Sequence, residues 1–166
     1  MDSGNDMDPT SSLNRLLDNF PYNGCVEWIG LRPARRQPME VVTRVQARVG
    51  EGLLGDRFKG KGKRQITLIQ HEHLSAIAAL LDRGAIEPAT LRRNIVVAGI
   101  NLLALKGKRF YVGDALLETS GLCHPCSRME MALGAGGYNA MRGHGGITAR
   151  VIVSGELCIG DPVRVA

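Results

Sequence analysis

The sequence predicts a mainly β protein: a mixed β-barrel with one main inserted helix and a short helix near the N-terminus. Three observations lead there. Short apolar stretches recur at close spacing, 21 glycines punctuate the chain, and one long stretch alone has helical periodicity. At 166 residues the chain suits one domain with a substantial core. Hydrophobic residues at 44% and charged residues at 22% fit an ordinary globular protein.

Residues 1–20 read as an arm and 21–166 as the domain. Met1 to Thr10 are polar and expected to be disordered. Ser11 or Ser12 then caps a helix whose Leu13, Leu16, Leu17 and Phe20 share a stripe, and Pro21 ends it. Docking of this arm on the domain is the expectation. Cys25 to Leu31 is a short strand, followed by a basic, proline-bounded loop from Arg32 to Pro38. Val41 to Val49 alternates, with Val41, Thr43, Val45, Ala47 and Val49 on one face, as a half-buried strand does. A glycine-punctuated loop follows from Gly50 to Arg57, and a basic stretch runs on to Arg64.

Gln65 to Ile69 is the next strand. The main helix runs from about Glu72 to Arg83, with Leu74, Ile77, Ala78 and Leu81 as its apolar face and Gly84 as its stop. Further strands are expected at Ile95–Val97, Phe110–Val112, Ala115–Thr119, Ile147–Val153 and Pro162–Val165. Gly134 to Gly146 is glycine-dense and is read as a loop; it lacks the strand and helix that would make it a phosphate-binding loop.

No apolar run reaches the length that spans a bilayer, and the acidic start lacks the basic and apolar regions of a signal peptide. A cytoplasmic location with no membrane partner is expected. Four cysteines in such a chain do not suggest a disulfide framework. Cys25 and Cys158 lie beside apolar residues and are read as buried and inert.

The net charge of +5 favours anionic partners. Arginines and lysines gather at Arg32/Arg35/Arg36, Arg57/Lys59/Lys61/Lys63/Arg64 and Lys106/Lys108/Arg109. Three Phe, three Tyr and one Trp are scattered rather than interleaved with these charges, so no base-stacking platform is evident. A small anionic ligand is expected ahead of nucleic acid.

The most informative segment is Glu118-Thr-Ser-Gly-Leu-Cys-His-Pro-Cys-Ser-Arg-Met129, with Gly143-His-Gly-Gly146 after it. Thiolate is the form of cysteine that attacks electrophiles and binds soft metals, and nearby positive charge favours it. Cys126 stands between His124 and Arg128, directly after Pro125. It is the candidate working sulfur. The Cys-x-x-Cys spacing itself leaves a metal ligand, a sulfur carrier and a redox dithiol open.

Several elements in order resemble the MOSC family, the domain found at the C-terminus of molybdenum cofactor sulfurase and as small stand-alone bacterial proteins. They are Gly52-Leu-Leu-Gly-Asp-Arg57, Arg64-Gln-Ile-Thr-Leu68, Leu91-Arg-Arg-Asn-Ile-Val-Val97, Gly113-Asp114, Pro125-Cys126 and Gly160-Asp161. The resemblance implies a mixed β-barrel. It implies that Cys126 carries sulfur or coordinates molybdenum, and so is both the catalytic and the metal-binding residue. It implies that Arg92 and Asn94 bind the pterin and phosphate of molybdenum cofactor, with Asp56, Arg57 and Gln65 nearby. Arginine clamps phosphate bidentately, and an asparagine amide both donates to and accepts from a heterocycle.

The resemblance further implies reduction of N-hydroxylated small molecules with electrons from a redox protein, or sulfur transfer from a donor protein. The pyridoxal-phosphate desulfurase domain of the sulfurases is not found in this sequence, so pyridoxal phosphate is not an expected cofactor here. In the reductase reading the glycines from 134 to 146 form a mobile wall, with His144 as proton donor or simply as a loop residue. Cys123 keeps dithiol chemistry open. A structural zinc module would need four Cys or His ligands, of which Cys123 and Cys126 supply two. A nucleic-acid-binding barrel ranks last.

Overall fold

The computed structural model describes residues 12–58 and 62–166. Seven strands close into a barrel: β1 (Gly24–Leu31), β5 (Ile66–Gln70), β6 (Ile95–Ala98), β7 (Arg109–Val112), β8 (Ala115–Leu122), β9 (Ile147–Val153) and β11 (Pro162–Val165). Around the barrel they run β1-β11-β7-β8-β9-β5-β6 and back to β1. Every pair is antiparallel except β5 and β6. A parallel pair requires a crossover. Here α2 (His71–Leu80) and α3 (Pro88–Leu91) provide it. The mixed barrel expected from the sequence is therefore the fold.

Strand alternation sorts two cores. Ile66 and Leu68 of β5 and Ile95 and Val97 of β6 point into the barrel, where they meet Ile29, Phe110, Leu117 and Ile147. Ile69 and Val96, one position out of step, face outward and pack against helices. That outer core takes Leu74, Ile77 and Ala78 of α2, as the helical stripe predicts. It also takes Met129 and Leu133 of α4 (Ser127–Leu133) and Ala140 and Met141 of α5 (Gly137–Met141). Both helices lie where the sequence predicts only a cysteine motif and a glycine loop. Each is too short to show its periodicity, and Gly137 fits because a Cβ there would stand 2.6 Å from Leu133 Cβ.

Other elements differ from expectation. The alternating run Val41–Val49 is two strands: β2 (Glu40–Val42) pairs with β1, while β3 (Arg44–Arg48) joins a separate sheet with β4 (Gly52–Leu53) and β10 (Gly155–Cys158). Only Val45 and Ala47 of its apolar face are buried; Val41 and Val49 stand at the free ends and are exposed. The main helix stops at Leu80, ahead of Gly84, because Asp82 takes the left-handed conformation at φ +53. Near the N-terminus α1 (Ser12–Leu17) buries none of its residues. Docking instead falls to Phe20, which packs on the barrel core, and to an Asp18–Lys108 ion pair. Ser11 and the proposed disorder up to Thr10 lie outside the described residues, as do Lys59 and Lys61. No helix among the described residues is long and apolar enough to cross a membrane.

Candidate functional site

Register brings the cysteine segment to the middle of the barrel wall. Leu68 lies opposite both Ile95 and Ile147, and Ile147 opposite Leu122, the last residue of β8. Directly beyond it, the Cys123 amide donates to the Gly146 carbonyl at 2.9 Å. The approach is close enough to demand glycine. A Cβ on Gly145 would sit 2.1 Å from the Cys123 carbonyl oxygen, and one on Gly146 would sit 1.9 Å from that of Leu68. Gly146 also has φ +87, which a side chain would oppose. The glycine pair thus seats the cysteine segment on β5. Cys123 turns inward, 8% exposed, while Cys126 stands in solvent at the start of α4. All four cysteines are free thiols.

Beneath this segment lies Arg93, 7% exposed. Its guanidinium donates to the carbonyls of Gly145 (3.0 Å), Leu91 (2.9 Å) and Cys123 (3.4 Å). Among the described residues no carboxylate pairs with it. Burial lowers its pKa most; the Cys123 and Cys126 sulfurs act to raise it, and Arg32 and Arg64 depress it further. A buried cation without a carboxylate is costly. It creates a place for negative charge beside the two cysteines. The Leu91-Arg-Arg-Asn motif contains Arg93, yet nothing in two adjacent arginines marks which one turns inward.

A second buried group centres on Asp56, 1% exposed. Its Oδ1 accepts from Arg32 Nε at 3.1 Å and its Oδ2 from Arg32 Nη2 at 2.9 Å. The backbone amides of Arg32 and Phe58 also donate to it. Asn94 is wholly buried. Its Nδ2 donates to the Gly30 carbonyl and Asp56 Oδ1, while its Oδ1 accepts from Arg32 Nη2, the Thr67 amide and the Thr67 hydroxyl. Both side chains are committed to bonds inside the fold and fix Arg32. Gln65, also buried, accepts the Val151 amide at 2.9 Å and ties β5 to β9. Arg32 begins the basic loop read from the sequence. It is buried, with its guanidinium 4.7 Å from the centre of the Phe58 ring.

Arg92 and Arg57 remain reachable. Arg92 is half-buried, in the left-handed conformation at φ +54, and donates to the Gln37 carbonyl at 2.6 Å. Its pKa is lowered first by partial burial, then by Arg32, Arg57 and Arg128, with Asp56 opposing. Arg92 thus shares a field with three further arginines, and Asp56, the carboxylate that opposes them, is already bonded to Arg32. Arg57 is exposed, its guanidinium 5.3 Å from the Phe58 ring centre.

The expected glycine wall is anchored through α5. Glu130 accepts the Gly136 and Tyr138 amides, at 2.8 and 2.7 Å. His144 Nδ1 lies 3.2 Å from the Ala140 carbonyl, and its ring meets His73 of α2 edge-on at 4.9 Å. A cavity of about 100 Å³ opens between Cys123, Pro125, Gly143, Gly145 and Gly146. Among the described residues no three His, Cys, Asp or Glu side chains converge as metal ligands, so the four-ligand zinc site is not formed there. Cys25 and Cys158 prove half-buried, not buried. The Cys158 thiol has its pKa raised by burial and by its bond to Glu156.

Comparison with known proteins agrees with this architecture. A MOSC domain family model matches residues 55–164. The YuaD protein from Bacillus subtilis superposes with a TM-score of 0.75 at 21% identity, covering 86% of this chain and 95% of that one. YiiM from Geobacillus stearothermophilus gives 0.70 at 17% identity, covering 86% and 75%. YiiM from Escherichia coli gives 0.70 at 19%, covering 88% and 70%. No curated protein matches the sequence.

Proposed function

The chain belongs to the MOSC domain family, and we propose that it binds molybdenum cofactor through Cys126. The observation that carries this reading is an exposed thiol above a buried, carboxylate-free Arg93, beside a field of Arg32, Arg57, Arg92 and Arg128. The donor set fits the group. Thiolate is the soft ligand a molybdenum centre takes from protein, and surplus guanidinium charge suits a phosphate. Cys126 would hold the metal; Arg57 and Arg92 would hold the phosphate and pterin edge.

Asp56, Asn94 and Gln65 serve that site at one remove, by fixing Arg32 and the ends of β5 and β6. A bound molybdenum centre would supply two-electron redox chemistry. The chain would then be the cofactor-bearing component of a reductase acting on a small N-hydroxylated compound, with electrons from a protein partner. The inward turn of Cys123 supports a single working sulfur over a dithiol.

Native mass spectrometry with elemental analysis, on protein made in cells that synthesise the cofactor, tests the reading. A pterin-sized mass accompanied by molybdenum supports it. A bare chain, or one carrying only zinc, overturns it.

A further inference from the structure

A second cleft lies elsewhere. It measures about 590 Å³, between the outer face of β1, helix α2 and the segment from Gly84 to Pro88, and shares no lining residue with the cysteine cavity. That volume is within the usual range for small-molecule sites. Its lining includes Trp28, Leu74, Ile86 and Val96. The last three are nearly or wholly shielded from solvent by the fold. Gly30 makes the indole's seat, because a Cβ there would stand 2.1 Å from Trp28 Cη2. The ring thus lies directly against the strand.

The charge of this cleft is opposite to that of the protein. In a chain of net charge +5, Glu27, Glu72 and Glu87 line it, and among the described residues its one basic side chain is His71, with no lysine or arginine. Glu72 is fixed by the Gly99 amide, which donates to its Oε1 at 2.8 Å. Burial acts to raise the Glu72 pKa, but that bond, with others from its own backbone and Gln70, holds it below the usual carboxylate range. Glu27 and Glu87 are exposed and take part in no ion pair among the described residues.

We infer that this cleft is a second binding site, specific for a small organic cation with an aromatic or apolar body. The body rests on Trp28 and the apolar lining, and the cationic head meets the glutamates. An indole face attracts cations in its own right. An anion of the same shape would meet three carboxylates against the single imidazole of His71.

Trp28 is the chain's sole tryptophan, so its fluorescence reports on this cleft alone. The full chain is titrated with benzamidinium, benzyl alcohol and benzoate at fixed ionic strength. Benzamidinium is expected to change the emission saturably and to bind about tenfold more tightly than benzyl alcohol, with benzoate weakest. A Glu27→Gln/Glu87→Gln double variant, altered at two exposed positions, should bring benzamidinium within about twofold of the alcohol. Cys126→Ser should leave the titration unchanged. Benzoate binding as tightly as benzamidinium, an unaltered double variant, or no saturable change with any probe would overturn the inference.

Discussion

Arg93 Nε donates to the carbonyl of Gly145 at 3.0 Å, from a side chain that is 7% exposed. That bond links the segment entering β6 to the glycine turn that seats the cysteines. The same guanidinium reaches the Cys123 carbonyl. One buried cation thus holds both walls of the cysteine segment.

Arg93→Met keeps the bulk and removes the bonds. It is expected to lower stability by about 2–3 kcal/mol, the scale of a lost charged hydrogen bond with its acceptors left buried. Cys123 should also become accessible. Alkylation of Cys123 in a Cys126→Ser background is the measurement, and a rate unchanged by Arg93→Met would show that Arg93 does not hold the segment.

The glycine turn separates two costs. Gly143 has φ +78 and nothing within 4 Å of a built Cβ, so Gly143→Ala should cost only the left-handed penalty, about 1–2 kcal/mol. Gly146→Ala adds a collision with the Leu68 carbonyl and should cost ~3 kcal/mol or more. Denaturant unfolding of both variants checks the order. Equal losses would contradict the seating of this turn on β5.

The proposed site gives Asn94 to the fold and Arg92 to the ligand. Asn94→Ala strips several buried partners and is expected to destabilise the chain by about 3 kcal/mol. Arg92→Ala should leave the unfolding midpoint nearly unchanged and weaken cofactor or phosphate binding by about 1.5–3 kcal/mol. Thermal melts and calorimetry on both variants separate the roles. A sharp loss of stability in Arg92→Ala with unaltered affinity would make it structural too.

The barrel was legible because short apolar runs such as Ile66–Ile69 and Ile95–Val97 recur between glycines and charged turns, and α2 because its apolar stripe is long. The cysteine and arginine motif was legible as chemistry. Its geometry was not. Arg92, Arg93 and Asn94 are adjacent polar residues, and only the entry into β6 decides that Arg93 turns under the cysteines while Arg92 stays at the rim. Asp56 and Asn94 read as ligand contacts because their residue types suit a pterin. In the fold those same hydrogen-bonding capacities are spent on Arg32, Gly30 and Thr67. Helices α4 and α5 were missed because tertiary packing against Ile69 and Val96 stabilises them, which no short window of sequence records.

The His73–His144 contact should make stability depend on pH. His73 is held below the ordinary histidine range, first by partial burial and then by His144, with Glu72 opposing. The unfolded chain then binds the proton at higher pH than the folded one. The contribution is complete above the ordinary value of about 6.5 and declines as pH falls through it. Melting temperatures at pH 8 and pH 5 should differ more in the native chain than in His73→Gln. Identical differences would remove His73 from the account.

The central claim is that Cys126 alone is the working sulfur. The most direct measurement is molybdenum content per chain, with sulfane sulfur measured alongside, for the native protein, Cys126→Ser and Cys123→Ser made in cells that synthesise the cofactor. The account requires molybdenum in the native protein, nearly none in Cys126→Ser, and most of it retained in Cys123→Ser. Full molybdenum in Cys126→Ser, or its loss only in Cys123→Ser, would contradict the account.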